Sequence, residues 1–151
     1  MINDLNFTSV IEGEILVYAS KKPTLANIKE GITADLLKEQ TFVLYKDEYV
    51  QEFISTLQRL YGPIDVLLKT TNLDVINKAV IELGAVTIGH DISVIYNPNL
   101  PSNKMKALKI VDFGDTSFRF GWVKKNEMKL SKVATLYIEE VNKTLLKQEH
   151  I

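Results

Sequence analysis

The sequence predicts an α/β fold built on a βαβαβ parallel-sheet lobe between Thr41 and Gly89. Three observations predict it. Short apolar runs rich in β-formers alternate with apolar stripes at helical spacing. The segments between the runs are long enough for helical crossovers, which implies right-handed βαβ units and parallel strands. Cap and stop residues fall at the boundaries between them.

Before this lobe, Met1 to Glu12 carries weak signals and is expected as an edge or a tail. Glu14 to Ser20 is a strand, ended by Lys21-Lys22-Pro23 because proline restricts the residue before it. Thr24 to Gly31 reads as a loop, and Thr33 caps a short helix through Leu37. The first lobe strand is Thr41 to Tyr45. Asp47 caps the helix that follows, whose stripe is Val50, Phe53, Ile54, Leu57 and Leu60. Gly62-Pro63 stops it. Ile64 to Leu68 is predicted as a second, buried-type strand. Thr70, Thr71 and Asn72 supply N-caps for a helix over Leu73 to Leu83 with Val75, Ile76, Ala79, Val80 and Leu83 inward, and Gly84 stands where a terminating glycine belongs. Ala85 to Ile88 is the third strand.

After Gly89 the pattern changes. Asp91 to Tyr96 reads as one turn of helix or an irregular strand, and Asn97 to Asn103 as a loop. Ala107 to Phe113 and Phe118 to Lys124 are two strands around Gly114-Asp115-Thr116, a hairpin-like turn. Phe118, Phe120 and Trp122 alternate onto one face, and the row reads as core packing because no basic excess flanks it. Ser131 caps a last helix to about Leu146, with Val133, Ala134, Tyr137, Ile138, Val141 and Leu145 as its stripe.

Composition narrows the function. The chain has 151 residues, enough for one domain or part of a two-lobed one, and 46% are hydrophobic, enough for a packed core. A net charge of −1 offers no basic field for nucleic acid. With no cysteine, disulfides, thiolate catalysis and cysteine metal sites are excluded. Two histidines, His90 and His150, make no metal cluster, and no cofactor is expected. No apolar run approaches a membrane span and the amino terminus has no signal-peptide pattern, so a cytoplasmic location is expected. Enzyme motifs are missing: no nucleophile elbow, P-loop or dinucleotide fingerprint occurs. Asp47 and Glu48 are neighbours at a helix start, not a facing carboxylate pair, and no catalytic residue is assigned.

Parallel sheets bind ligands outside the carboxyl ends of their strands, beside helix N-termini. Tyr45 and Lys46 leave the first lobe strand at that end. Thr70, Thr71 and Asn72 leave the second and open a helix whose unpaired amides and positive dipole end favour an anion. His90 follows the third strand at the same edge. These six residues are the candidate ligand-binding set, and the expected ligand is a small anionic metabolite. Plain helix capping with a solvated lysine is the alternative explanation of the same residues.

Four stretches, in order, resemble the effector-binding domain of LysR-type transcriptional regulators. Glu14 to Ala26, with Lys22-Pro23-Thr24-Leu25-Ala26, is similar to that family's first crossover strand and the turn after it. Gly31-Ile-Thr-Ala-Asp-Leu36 resembles its Ile-Thr-x-x-Asp-Leu helix start. Ala79 to Ile88 resembles its Val-x-x-Gly-x-Gly-Ile-Ala segment, with Val86 in place of the second glycine and Asp91 near its usual proline. Phe120 to Ile138, with Lys129-Leu130-Ser131, resembles the closing strand and last helix. The resemblance implies a type 2 periplasmic-binding-protein-like fold with crossover strands and a C-terminal helix added to the lobe. Residues 1–151 would form one partial effector-binding domain: about 21–115 the second lobe, the flanking strands and last helix a remnant of the first. The family's winged helix-turn-helix has no counterpart here. The implied function is ligand sensing as a homodimer, without DNA binding by this chain alone. The alternatives from other classes are a stand-alone small-molecule-binding or dimerisation module and, further off, an enzyme on the same lobe.

Overall fold

The computed structural model describes residues 4–21, 25, 28, 31–92 and 104–148. Its elements run β1 (Leu5–Ser20), β2 (Gly31–Ile32), α1 (Ala34–Lys38), β3 (Thr41–Tyr45), α2 (Glu48–Tyr61), β4 (Asp65–Thr70), α3 (Leu73–Leu83), β5 (Thr87–His90), β6 (Met105–Ile110), β7 (Ser117–Lys125) and α4 (Lys132–Gln148). The chain divides into two compact units, one of residues 14–116 and one of residues 1–13 with 117–151, and β1 runs through both.

In the 14–116 unit, β3 and β4 pair in parallel, Thr41 against Asp65 through Tyr45 against Thr70. On its other side β3 meets Val86 in a parallel bridge: the Val43 amide donates to the Val86 carbonyl (2.9 Å), and the Val86 amide to that of Thr41 (2.8 Å). The predicted βαβαβ unit is therefore present with β3 in its middle. Its third strand then continues as β5, which pairs antiparallel with β1, Ile15 against His90 through Tyr18 against Thr87. Beyond β1 lie β6, antiparallel, and β2, parallel to β6. Gly31 is obligatory in β2, since a Cβ there would sit 2.3 Å from Val111 and 2.9 Å from the Lys109 carbonyl oxygen.

Two apolar layers cover this sheet. Phe42 and Leu44 face α2 through Val50, Phe53, Ile54 and Leu57, while Val43 faces α3 through Ile76, Ala79 and Val80. That alternation is the period-2 geometry of a strand between two helices. The local stops act as the sequence predicts. Asp47 accepts from the Val50 amide (2.7 Å), Thr33 from that of Leu36 (3.2 Å), and Asn72 from those of Asp74 and Val75 (3.0 and 3.3 Å). Gly62 and Gly84 end α2 and α3 at φ of 100° and 72°.

Four expectations are corrected. The second lobe strand is not buried: β4 is a sheet edge with Leu67 56% and Leu68 40% exposed. An apolar run of this kind reads as buried on both faces only when strands flank it on both sides. Leu67 also falls where the register slips, Phe42 facing Val66 and Val43 facing Leu68. Secondly, the strands around Gly114 to Thr116 do not form a hairpin with each other. Each pairs with β1, which starts at Leu5 rather than Glu14 and is long enough, at 16 residues, to serve both. Thirdly, the loop predicted up to Gly31 ends in strand β2. Fourthly, Leu60, Val75, Leu83, Val133 and Tyr137 are exposed, not inward. Asp91 and Ile92 form a turn. The rest of the expected 91–96 element, the 97–103 loop, His150 and most of the Lys22-to-Ala26 stretch lie outside the described residues.

In the second unit, the first half of β1 pairs with β7. The Asn126 amide donates to the Asp4 carbonyl (2.7 Å), and Gly121 lies against Thr8, which makes the pair antiparallel. Ser131 caps α4 by accepting from the Ala134 amide (3.1 Å). The aromatic row behaves as packing: Phe118 meets Phe120 edge-on (4.9 Å), and Trp122 meets Tyr137 (6.3 Å) and donates to the Asn142 carboxamide (2.7 Å). Yet among the described residues only Ile11 and Phe118 are buried here, and Leu5, Phe7, Val123, Val133 and Leu136 are exposed.

Candidate functional site

The carboxyl ends of β4 and β3 are tied together by one backbone bond, the Lys46 amide donating to the Thr70 carbonyl (3.0 Å). This brings Tyr45, Lys46, Thr70, Thr71 and Asn72 to one edge, where α2 and α3 both begin. The polar groups there are partly spoken for. The Thr70 hydroxyl accepts from the Asn72 amide (3.1 Å), and the Asn72 carboxamide oxygen takes two first-turn amides of α3. The Ile76 amide donates to the Asn72 carbonyl (3.2 Å). Asn72 therefore acts as a cap, occupying donors that an anion would use. The Thr71 side chain is exposed and makes no hydrogen bond among the described residues. Lys46 borders an open hollow of about 400 Å³ with Asp47, Glu48 and Gln51.

His90 ends β5 on the far side of β3, away from Thr70 to Asn72. Its ring packs on Tyr49 (centroids 4.8 Å apart), and its carbonyl accepts from the Tyr18 hydroxyl. Burial holds its pKa below the ordinary 6.5, against an opposing pull from Asp47 and Asp91. The ring is thus neutral at pH 7 and carries no charge to an anion. Burial also pushes the Tyr49 hydroxyl up to about 12, helped by Asp115, Asp47, Asp91 and Glu52. This end of the edge is acidic, whereas the Thr71 end has Lys46 and Lys69, the latter donating to the Gln51 carboxamide (3.2 Å).

A second feature lies between α3 and the sheet. A cavity of about 80 Å³ is lined by Tyr18, Tyr45, Leu73, Asn77, Thr87 and Met105, together with Gly89. Tyr45 alone of the six sequence candidates lines it. Gly89 leaves room for the Tyr18 ring, which a Cβ there would meet at 2.9 Å. The signal in the sequence is Thr87, a polar residue inside the apolar run Ala85 to Ile88.

Among the described residues, no helix is long and apolar enough to cross a membrane, and no group of three or more acidic or histidine side chains is placed to hold a metal.

No family model and no curated protein matches the chain. Solved structures do. The regulatory domain of Synechocystis PCC6803 CcmR in complex with 2-PG aligns over 93% of this chain and 67% of its own, at 17% identity and a TM-score of 0.76. The C-terminal domain of a probable LysR family transcriptional regulator from Rhodococcus sp. RHA1 aligns over 91% of this chain and 67% of its own, at 19% identity and a TM-score of 0.71. The GluR0 ligand binding core in complex with L-glutamate aligns over 98% of this chain and 62% of its own, at 15% identity and a TM-score of 0.63. The chain spans about two thirds of each. Its mixed α/β architecture with a C-terminal helix is that of the LysR effector-binding domains, within the wider periplasmic-binding-protein-like fold.

Proposed function

We propose that this chain is the ligand-sensing part of a LysR-type regulator, binding a small anionic metabolite. The observation that carries the reading is the likeness of nearly the whole chain to regulatory domains, one of them in complex with 2-PG. The proteins it resembles are regulators rather than enzymes, which supports binding over catalysis. L-glutamate, held by the GluR0 core, carries carboxylates, which supports an anionic ligand.

The proposed seat is the carboxyl edge of β3 and β4. Thr71 offers a hydroxyl beside the amide end of α3, Lys46 a charge, and Thr70, Asn72 and Tyr45 frame them. His90 stands on the far side of β3 from this seat, as a neutral ring. Residues 21–115 then correspond to the second lobe, and the remaining strands and α4 to part of the first. The module works in the cytoplasm as a homodimer and does not bind DNA by itself. The exposed Leu5, Phe7, Val123, Val133 and Leu136 support self-association, since exposed apolar patches mark interaction sites.

The test is a thermal-shift panel of small carboxylates and phosphates on the intact chain. A true effector at one hundred times its dissociation constant adds about 2.7 kcal/mol. A panel in which no anion raises the melting midpoint removes the anion seat. A monodisperse monomer by light scattering at high concentration removes the dimer. Tight, sequence-dependent DNA binding at low salt removes the claim that it does not bind DNA by itself.

A further inference from the structure

At the edge of the sheet opposite the anion seat, three lysines converge without a counter-charge. The ladder between β1 and β6 pairs Ala19 with Lys106 and Ser20 with Met105. The next register position sets Lys21 against Lys104, and alternation puts Lys104 on the face of Lys106. This end of β1 lies beyond Thr87, the first residue of β5, whereas the seat lies at the ends of β3 and β4. The sequence is one-sided here. Residues 20–29 and residues 101–110 each carry three lysines and no acidic residue, in a chain whose net charge is −1. Among the described residues none of Lys21, Lys104 and Lys106 meets a carboxylate, and the ion pair of Lys109 with Glu14 belongs to the other face of β6. Like charges directly opposite across two strands destabilise the pair. Lys21 and Lys104 are exposed. The Lys106 ammonium donates to the carbonyls of Leu25 and Ile28, the latter at 3.3 Å, which leaves its third N–H for a ligand. Burial, and after it the charge of Lys21, hold the Lys106 pKa below the ordinary 10.5, and no carboxylate offsets them.

We infer that Lys21, Lys104 and Lys106 bind the phosphate group of a phosphorylated small molecule. A phosphate carries about two negative charges and presents three strong acceptor oxygens. Lysine ammoniums meet it as point charges, without the planar fork that an arginine would impose. A carboxylate brings half the charge and gains correspondingly less from the field of the cluster. Binding replaces the repulsion between Lys21 and Lys104 by the attraction of both to one centre. The inference does not depend on the anion seat, which lies at the opposite edge with its own lysine, Lys46.

The experiment is an amide chemical-shift titration of the intact, isotope-labelled chain at constant ionic strength, with pyrophosphate, acetate and a short DNA duplex as separate probes. Pyrophosphate is expected to move the amides of Lys21 and of Lys104 to Ala107 in a saturable way, with a dissociation constant of the order of 1 mM, and acetate to bind there about tenfold more weakly. Lys104→Gln is expected to weaken pyrophosphate binding about fivefold. In the absence of any anion it is expected to raise the melting midpoint, because it removes the repulsion from Lys21. Lys109→Gln, on the other face of β6, is expected to leave pyrophosphate binding unchanged. The inference is overturned if pyrophosphate leaves those amides unmoved, even where it moves Lys46 and Thr70 to Asp74. It is overturned equally if acetate binds there as tightly, if Lys104→Gln binds as tightly as the parent chain, or if Lys109→Gln weakens binding as much as Lys104→Gln. A duplex that moves these amides at a lower phosphate concentration than pyrophosphate overturns the small-molecule assignment in favour of a nucleic-acid backbone.

Discussion

Phe42 in β3 and Phe120 in β7 are both phenylalanines in strands, yet the first is fully buried and the second 36% exposed. The difference is the number of layers around them. Phe42 lies in a sheet with α2 on its own side and α3 on the other, and with β4 and Val86 at its flanks. Phe120 lies in a two-stranded ribbon whose one helix, α4, has no fully buried residue over 132–147. Equal hydrophobicity therefore does not give equal burial, because a sheet face needs a second layer to become a core. The 14–116 unit has its layers, and the other unit leaves apolar side chains exposed.

The largest expected effect follows from that contrast. Phe42→Ala is predicted to cost about 3–5 kcal/mol, since it leaves a cavity between two packed layers. Phe120→Ala is predicted to cost about 1 kcal/mol or less in the isolated chain, as a half-exposed side chain should. Urea unfolding of the two variants measures both. Similar costs would break the comparison.

A glycine sharpens it next. A Cβ at Gly121 would lie 2.0 Å from the Thr8 carbonyl oxygen, a backbone atom that cannot step aside. Gly121→Ala is predicted to part β7 from the first half of β1, at a cost of about 1–3 kcal/mol. Hydrogen exchange should quicken in residues 5–12 and 117–125 while β3 and β4 keep their protection.

Capping residues come third. Asn72→Ala is predicted to cost about 1 kcal/mol, because its carboxamide holds two amides of α3. Thr71→Ala, an exposed change outside the cap, should stay within about 0.5 kcal/mol. Any loss of anion affinity in Thr71→Ala is then a binding effect and not a folding effect, which calorimetry can report beside the melting midpoint.

The smallest effect is in pH. Burial lowers the folded pKa of His90 below its ordinary value. Its stability contribution is present above the unfolded value of 6.5 and is lost as pH falls through the folded pKa. The melting midpoint should therefore drop between about pH 7 and pH 5, before most carboxylates titrate. His90→Gln should flatten that slope, and an unchanged slope would remove the assignment.

How much of this was legible in the sequence divides along the same physical line. The caps at Thr33, Asp47, Asn72 and Ser131 and the stop at Gly84 depend on a few adjacent residues, so spacing alone finds them. The helical stripe on α2 is equally local. The exposure of β4, the absence of a hairpin and the short strand β2 depend on which strands stand beside them. The absence of a hairpin is settled by the 16-residue length of β1, whose first half has no periodic signal strong enough to show it. The site divides likewise. Five of the six candidates share an edge because two strands end together, but that Asn72 caps, that His90 is neutral against Tyr49, and that Thr87 and Asn77 face a cavity all follow from packing between distant segments.

The most direct test of the functional account is amide shift mapping of the intact chain with whichever small carboxylate or phosphate raises its melting midpoint most. The account predicts that the largest perturbations fall on Lys46 and Thr70 to Asp74, with residues 117–148 unmoved. Perturbations centred on β7 and α4, or spread evenly without saturation, would contradict it.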